Sequence, residues 1–299
     1  MNMPTDAFLT TLYVIVDDWY QLHGPRLLAG KAGAKPRFSD SEVLTLSLAQ
    51  HWCGFATERE WLRFINSNHR PLFPRLVSQG EFNTRARNLC WVMNQLHRFV
   101  IEQLGVRNTP WRLVDGTPVV VRHWRRYGPR SLSPPRAALG YCAAKKEYFY
   151  GYRLLVLTTL EGIITDWVLI SANADERAGA DELLEDYQNL LVLGDKGFLD
   201  QVRQACLLEK RGIHLQTPKR KNQKQQNPKA WDALHTRVRQ RIETAYSQAK
   251  VFLGLEKPGA KTLWGLFSRL IAKLTGMALA AQANLRQGCS PLRLAEFTF

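Results

Sequence analysis

Between Arg237 and Lys250 the chain reads Arg-Val-Arg-Gln-Arg-Ile-Glu-Thr-Ala-Tyr-Ser-Gln-Ala-Lys, with no Gly or Pro to interrupt a helix. Val238, Ile242, Ala245, Ala249 and Phe252 recur at steps of four and three, which is one apolar stripe of a helix. A second stripe runs beside it through Arg239, Glu243, Tyr246 and Lys250. At about 100° per residue these four fall within roughly 40° of one another. The segment therefore predicts a helix anchored in a core, presenting one carboxylate between two cations. In an isolated helix such a stripe is an i,i+4 salt-bridged, solvated face. Its meaning depends on what the rest of the chain brings to it.

The chain has 299 residues, enough for one large domain or two ordinary ones. A hydrophobic content of 45% and nine Trp imply a packed core. Lys and Arg number 41 against 26 Asp and Glu, a net charge of +15, which points to a polyanion or an anionic surface. No membrane is expected: the apolar runs are short, and Asp6, Asp17 and Asp18 stand where a signal peptide would be basic. A cytoplasmic location follows as an expectation. Cys53, Cys90, Cys142, Cys206 and Cys289 are widely spaced and include no C-x-x-C pair, so they read as reduced structural thiols, not a zinc site.

Residues 5–23 read as a helix with Gly24 as its stop, and residues 24–37 as a basic loop. Three capping boxes follow, Ser39 with Glu42, Thr57 with Glu60 and Ser78 with Glu81, the last opening a long helix from about Glu81 to Leu104. Residues 1–105 are thus expected to be an all-helical, DNA-binding domain. Arg63, Arg70, Arg85 and Arg87 near helix starts fit a helix-turn-helix-like reader, and a plain helical bundle fits the pattern equally.

From Trp111 the period changes to that of strands. Trp111–Asp115 alternates, Gly116-Thr117-Pro118 breaks the run, and Val119–Arg122 resumes it. Residues 122–146 are basic with interleaved aromatics, including Arg122, Trp124, Arg125, Arg126, Lys145 and Lys146, and Pro129, Pro134 and Pro135 make the segment a loop. Two strands, a helix over 178–189, the apolar run 190–195 ending in Asp195, a helix over 199–211 and a short strand at 213–216 follow. An apolar run that short and that continuous is the mark of a buried central strand. A second basic loop at about 218–229 precedes the helix described first, and a further apolar helix spans about 262–286. Residues 106–299 therefore form one α/β domain, a mixed sheet flanked by helices.

In that order, carboxylates sit on the first strand (Asp115), at the end of the fourth (Asp195) and inside the long helix (Glu243). Ligands of such sheets gather at strand ends. Phosphoryl transfer needs hard oxygen donors that hold two divalent ions roughly 4 Å apart. Three carboxylates without His favour Mg²⁺ or Mn²⁺ over zinc. Asp166 lies mid-strand and Asp181, Glu182 and Glu185 on an exposed helix, so they read as structural or solvated.

The pattern resembles the DDE transposases of bacterial insertion sequences, whose catalytic domain is ribonuclease H-like. Val114-Asp115-Gly-Thr-Pro-Val resembles the strand of the first Asp, and Gly194-Asp195-Lys-Gly-Phe198 the turn of the second. Arg239, Glu243 and Lys250 match an Arg-x3-Glu-x6-Lys signature of the family; its usual leading Tyr is replaced by Thr236. Gly140-Tyr-Cys and Lys145-Lys-Glu-Tyr-Phe-Tyr-Gly-Tyr also look like family features, and the similarity covers about residues 107–255. The resemblance implies that Asp115, Asp195 and Glu243 are catalytic and hold two metal ions. It implies cleavage at the ends of an element, at terminal inverted repeats, and joining of 3′-hydroxyl ends to target DNA, by a protein that is at least a homodimer on DNA and nucleoid-associated in a bacterium. Arg239 and Lys250 would clamp the flanking phosphates, joined in DNA binding by Arg122, Trp124, Arg125, Arg126, Lys145 and Lys146. Trp124 either stacks on an unpaired base or packs on the sheet. A structure-specific nuclease without strand transfer and a catalytically silent DNA-binding protein are the rival readings.

Overall fold

A computed structural model describes residues 3–28, 36–123, 125, 136–143, 145–219, 227–260 and 262–294. The N-terminal third is helical: α1 (Thr5–Leu27), α2 (Asp40–Trp52), α3 (Glu58–Asn68), α4 (Gln79–Asn88) and α5 (Cys90–Gln103). The three expected caps are present. Ser39 and Glu42 form the full reciprocal box, while Thr57 and Ser78 each accept from the backbone N–H three residues on. Two boundaries differ from expectation. Gly24 does not stop α1: the helix runs on to Leu27, and Gly24 instead admits the Tyr20 ring, which a Cβ would meet at 2.5 Å. The expected long helix is two, split at the buried Leu89. The break turns the apolar face of α5, including Val92, Leu96 and Val100, onto the last helix of the chain.

The rest is a mixed sheet between helices. β1 (Trp111–Arg122), β2 (Ala138–Cys142), β3 (Glu147–Thr158) and β4 (Ile164–Ser171) are followed by α6 (Glu176–Leu183), β5 (Leu191–Leu193), α7 (Gln201–Arg211), β6 (His214–Gln216), α8 (Lys229–Leu253) and α9 (Leu263–Arg286). The order is β2-β3-β1-β5-β6, with β4 also on β3. β1 runs antiparallel to β3 and parallel to β5, and β5 parallel to β6. This is the ribonuclease H-like α/β arrangement expected from the sequence.

β1 is one strand, not two. Its parallel partner pairs only Trp111 to Leu113, so beyond that point one edge is open. The Val120 N–H points to that edge, where it meets the Glu256 carbonyl at 2.8 Å. Pro118, two residues earlier, shares the edge and so costs no ladder bond. β2 falls inside the segment read as a loop. Its outward Leu139 and Tyr141 are exposed and only Gly140 is buried, so no apolar alternation announces it. Along β3 the neighbour changes from β2 to β4 at Gly151, where φ is +156° and a Cβ would lie 2.2 Å from the Val119 carbonyl oxygen. α6 starts earlier than 178 because Asp175 caps it, and ends at Leu183; Asn189, at φ 52°, turns the chain into β5.

Alternation divides the sheet's faces. Leu113, Val119, Leu154 and Val156 pack with Ile242, Ala249 and Leu270 of α8 and α9. Val114, Leu155 and Leu157 pack with α6 and α7 through Ala180, Leu183 and Leu207. α9 joins both parts of the chain: Leu266 and Leu274 belong to the sheet core, Ile271 and Ala278 to the core of the N-terminal helices. By length and composition α9 is apolar enough to cross a membrane, but 67% of its most apolar stretch is buried inside the protein, and Lys273 within it is 3% exposed.

Candidate active site

Asp115 occupies an odd position of β1, between Leu113 and Val119, so its side chain faces α8 and not α6. There it meets the polar stripe of α8. Arg239 Nη2 lies 3.8 Å from Asp115 Oδ2, and Tyr246, 4% exposed, donates its hydroxyl to the Asp115 backbone carbonyl at 2.8 Å. Asp115 Oδ1 accepts the Gly116 N–H at 2.8 Å.

Asp195 stands two residues past the end of β5, where it caps a short 3-10 turn (Lys196–Phe198) by accepting the Gly197 N–H at 2.7 Å. The turn is pinned by the buried Phe198 and by the Gly194 N–H, which donates to the Gln216 carbonyl at 2.9 Å. On the α8 side the His235 Nε2 lies 3.0 Å from the Gly194 carbonyl oxygen, so it carries the donated proton. Its ring stacks on Trp231, whose indole N–H donates to Gln216 Oε1 at 2.8 Å. Glu243 is exposed on α8, one turn from Arg239 and on the same stripe.

The electrostatics tie the three carboxylates together. The Asp115 carboxyl is pushed up to about 6, chiefly by burial. The Gly116 N–H and Arg239 oppose the rise, while the charges of Asp195 and Glu243 add to it. Asp195 and Glu243 are thus both within electrostatic reach of Asp115. No three His, Cys, Asp or Glu side chains among the described residues are gathered tightly enough to hold a metal ion. Asp115 and Asp195 each have one oxygen engaged by a local N–H, and Asp115 also faces Arg239. The donor chemistry nonetheless fits a hard divalent ion, because all three groups are carboxylates and a cation would offset both the burial that chiefly raises Asp115 and the smaller repulsion from Asp195 and Glu243.

The expected DNA-contacting residues divide into groups. Lys250 sits 5.8 Å over the Tyr246 ring and pairs with Glu256 at 2.9 Å; Lys145 pairs with the same Glu256. Arg122 ends β1, opposite Tyr150. Arg125 lies just beyond it with its N–H on His123 Nδ1, and Lys146 is exposed at the turn into β3, at φ 52°. Trp124, Arg126 and residues 220–226 of the second basic loop lie outside the described residues. Asp166 is structural as expected, accepting a hydrogen bond from the Tyr187 hydroxyl.

Several residues near the site carried weaker sequence signals. Tyr246, although it lies on the polar stripe, is buried in the sheet core and also bonds the strand of the first Asp. His235 belongs to an i,i+4 series with Trp231 and Arg239 that continues the polar stripe toward the N-terminus of α8. Arg153, a lone cation in an apolar strand, pairs with Glu176 and donates to the Tyr141 carbonyl. Burial lowers the pKa of its guanidinium, opposed by smaller contributions from Cys142, Asp195 and Asp115.

The family model described as "Transposase DDE domain" matches residues 108–279, more than half of the chain. The chain therefore belongs to the transposase DDE domain family, DNA-binding enzymes of transposition that act on phosphodiesters. Among solved structures, the "Crystal structure of a pre-cleavage Mos1 transpososome" aligns at 11% identity over 89% of this chain and 86% of that one, with a TM-score of 0.21, too low to bear on the details. The search of curated proteins found no match.

Proposed function

We propose that this transposase binds the ends of an insertion element, cuts a phosphodiester there and joins the freed 3′-hydroxyl to target DNA, with Asp115, Asp195 and Glu243 as its catalytic carboxylates. These three would hold two Mg²⁺ or Mn²⁺ ions, which when bound activate the attacking oxygen and stabilise the leaving one. The observation that carries the reading is the seating of the polar stripe of α8 on the first Asp: Arg239 lies 3.8 Å from the Asp115 carboxylate and the Tyr246 hydroxyl bonds the Asp115 carbonyl at 2.8 Å, on the stripe that also bears Glu243.

The chain's own groups prepare the substrate. Tyr246 and the Gly116 N–H fix the main chain and one oxygen of Asp115, and His235 with Phe198 fixes the turn that aims Asp195. Arg239 neutralises Asp115 in the free protein and turns to a DNA phosphate when the carboxylates are otherwise compensated. Lys250 takes a phosphate on the other side of Glu243, while Lys145, Lys146, Arg122, Trp124, Arg125 and Arg126 contact DNA beyond the cut. The helical residues 1–105 bind DNA outside the catalytic region 106–299. Synapsis of two ends calls for at least a homodimer on DNA, in the bacterial cytoplasm at the nucleoid.

The test is an incubation of the protein with duplexes bearing the inverted repeats that flank its gene, with and without Mg²⁺. The proposal expects metal-dependent nicks at the repeat end and covalent joining of that 3′ end to a second duplex. Nicking without joining leaves a nuclease, and binding without nicking a silent DNA-binding protein.

A further inference from the structure

Three residues beyond α8 a single carboxylate faces two lysines. Glu256, its side chain 14% exposed, pairs with Lys250 Nζ at 2.9 Å and with Lys145 from the β2–β3 turn. The lysines remain 33% and 45% exposed. The two come from distant parts of the chain and meet only here.

The carboxylate is the fixed member of the trio. Its segment is held at three points: Lys273 Nζ donates to the Gly254 carbonyl at 2.8 Å, the Val120 N–H to the Glu256 carbonyl at 2.8 Å, and Arg269 Nη1 to the Pro258 carbonyl at 2.7 Å. Leu255, next to Glu256, is fully buried. The lysines reach it on long flexible stems. An ammonium has three donors, so each can keep one on Glu256 and offer the others outward. One carboxylate between two ammoniums also lets them stand closer than their repulsion would otherwise permit, with a net charge of one positive. The pair is coupled to the acidic site through Lys250, which covers the Tyr246 ring, whose hydroxyl holds the Asp115 carbonyl.

We propose that Glu256 is a positioning residue that gathers Lys145 and Lys250 into one phosphate-binding pair beside Asp115. The proposal rests on the reading above in which those lysines contact DNA phosphates. Because the carboxylate is anchored, a phosphate joins the pair rather than displacing the carboxylate from it. Glu256 therefore strengthens DNA binding although it subtracts a positive charge.

The test is the dissociation constant for a mixed-sequence DNA duplex at one fixed salt concentration, by fluorescence anisotropy. Glu256→Gln, Glu256→Asp, Lys145→Ala/Lys250→Ala and the triple variant with Glu256→Gln are compared, with unfolding midpoints as a check on structure. The proposal expects Glu256→Gln to weaken binding by about tenfold despite its added net charge. Glu256→Asp, which keeps the charge on a shorter stem, loses less. In the background lacking both lysines Glu256→Gln changes nothing. Tighter binding by Glu256→Gln, or a loss that persists undiminished without the lysines, overturns the proposal. Should Glu256→Gln not fold, Glu256→Asp is measured alone and without the lysines, and an equal loss in both settings overturns it. If Lys145→Ala/Lys250→Ala binds like the unaltered protein, the phosphate reading of the lysines fails; if that variant is weak and Glu256→Gln tight, only the role of Glu256 fails.

Discussion

The phenol of Tyr246 on α8 and the backbone carbonyl of Asp115 on β1 are joined by a 2.8 Å hydrogen bond. It couples the helix that carries Glu243 to the strand that carries Asp115, through a ring only 4% exposed. Burial, with the Asp115 charge next, holds the Tyr246 pKa well above its usual value, so the hydroxyl stays a donor throughout the working range. Tyr246→Phe keeps the packing and removes the bond. It is expected to cost about 1 kcal/mol of stability, seen as a lower urea midpoint with an unchanged slope. An unaltered midpoint would show that the carbonyl finds an equal partner.

Lys273 makes stability depend on pH. Burial, with a smaller contribution from Arg269, lowers its pKa from 10.5 to about 7. Between those values the unfolded chain holds the proton and the folded one does not. The unfolded state thus binds more protons, and stability rises with pH across that window by an amount on the order of a few kcal/mol. Below about 7 both states are protonated and the contribution is flat. Urea midpoints measured between neutral and alkaline pH test this: Lys273→Met should flatten the rise, and an equal slope in the variant would refute the assignment.

Arg112, fully buried at the start of β1, ties the preceding loop to the sheet. Its guanidinium donates to the carbonyls of Val106, Arg107, Thr109 and Trp111 at 2.7 to 2.9 Å and lies 5.6 Å from the Tyr187 ring centroid. A lysine has three donors on one atom and cannot span those acceptors. Arg112→Lys should lower stability by about 2–3 kcal/mol. A thermal midpoint equal to that of the parent would contradict the role.

The net charge of +15 sets the salt response. If six or more phosphates are neutralised, DNA affinity should fall by about 10³ between roughly 50 and 200 mM salt. Titrations at several salt concentrations give the slope directly, and a flat response would remove the basic surface from the account.

The elements that bear the site were readable because each has a local signature. The Arg239–Glu243–Tyr246–Lys250 stripe follows from helical spacing alone, and Asp195 is marked by the apolar run before it. Three helix starts were fixed by Ser39, Thr57 and Ser78. Features that depend on distant contacts were not legible. β2 has no buried stripe because it is half covered at the edge, Leu89 breaks a helix only because α5 must turn toward α9, and Pro118 sits in a strand only because that edge is open. Glu256 has no motif. Its role appears when the end of α8 folds back on β1 and meets a turn more than 100 residues earlier. His235 reads as an ordinary helix residue until the Gly194 carbonyl is seen beside it.

The proposed active site of Asp115, Asp195 and Glu243 is tested most directly by Glu243→Gln, which keeps size and shape but removes the charge and one acceptor oxygen. Nicking of duplexes carrying the flanking inverted repeats in Mg²⁺ is measured beside DNA affinity. The expected result is a loss of nicking of about 10³-fold or more with affinity nearly unchanged. Undiminished Mg²⁺-dependent nicking by Glu243→Gln would contradict it.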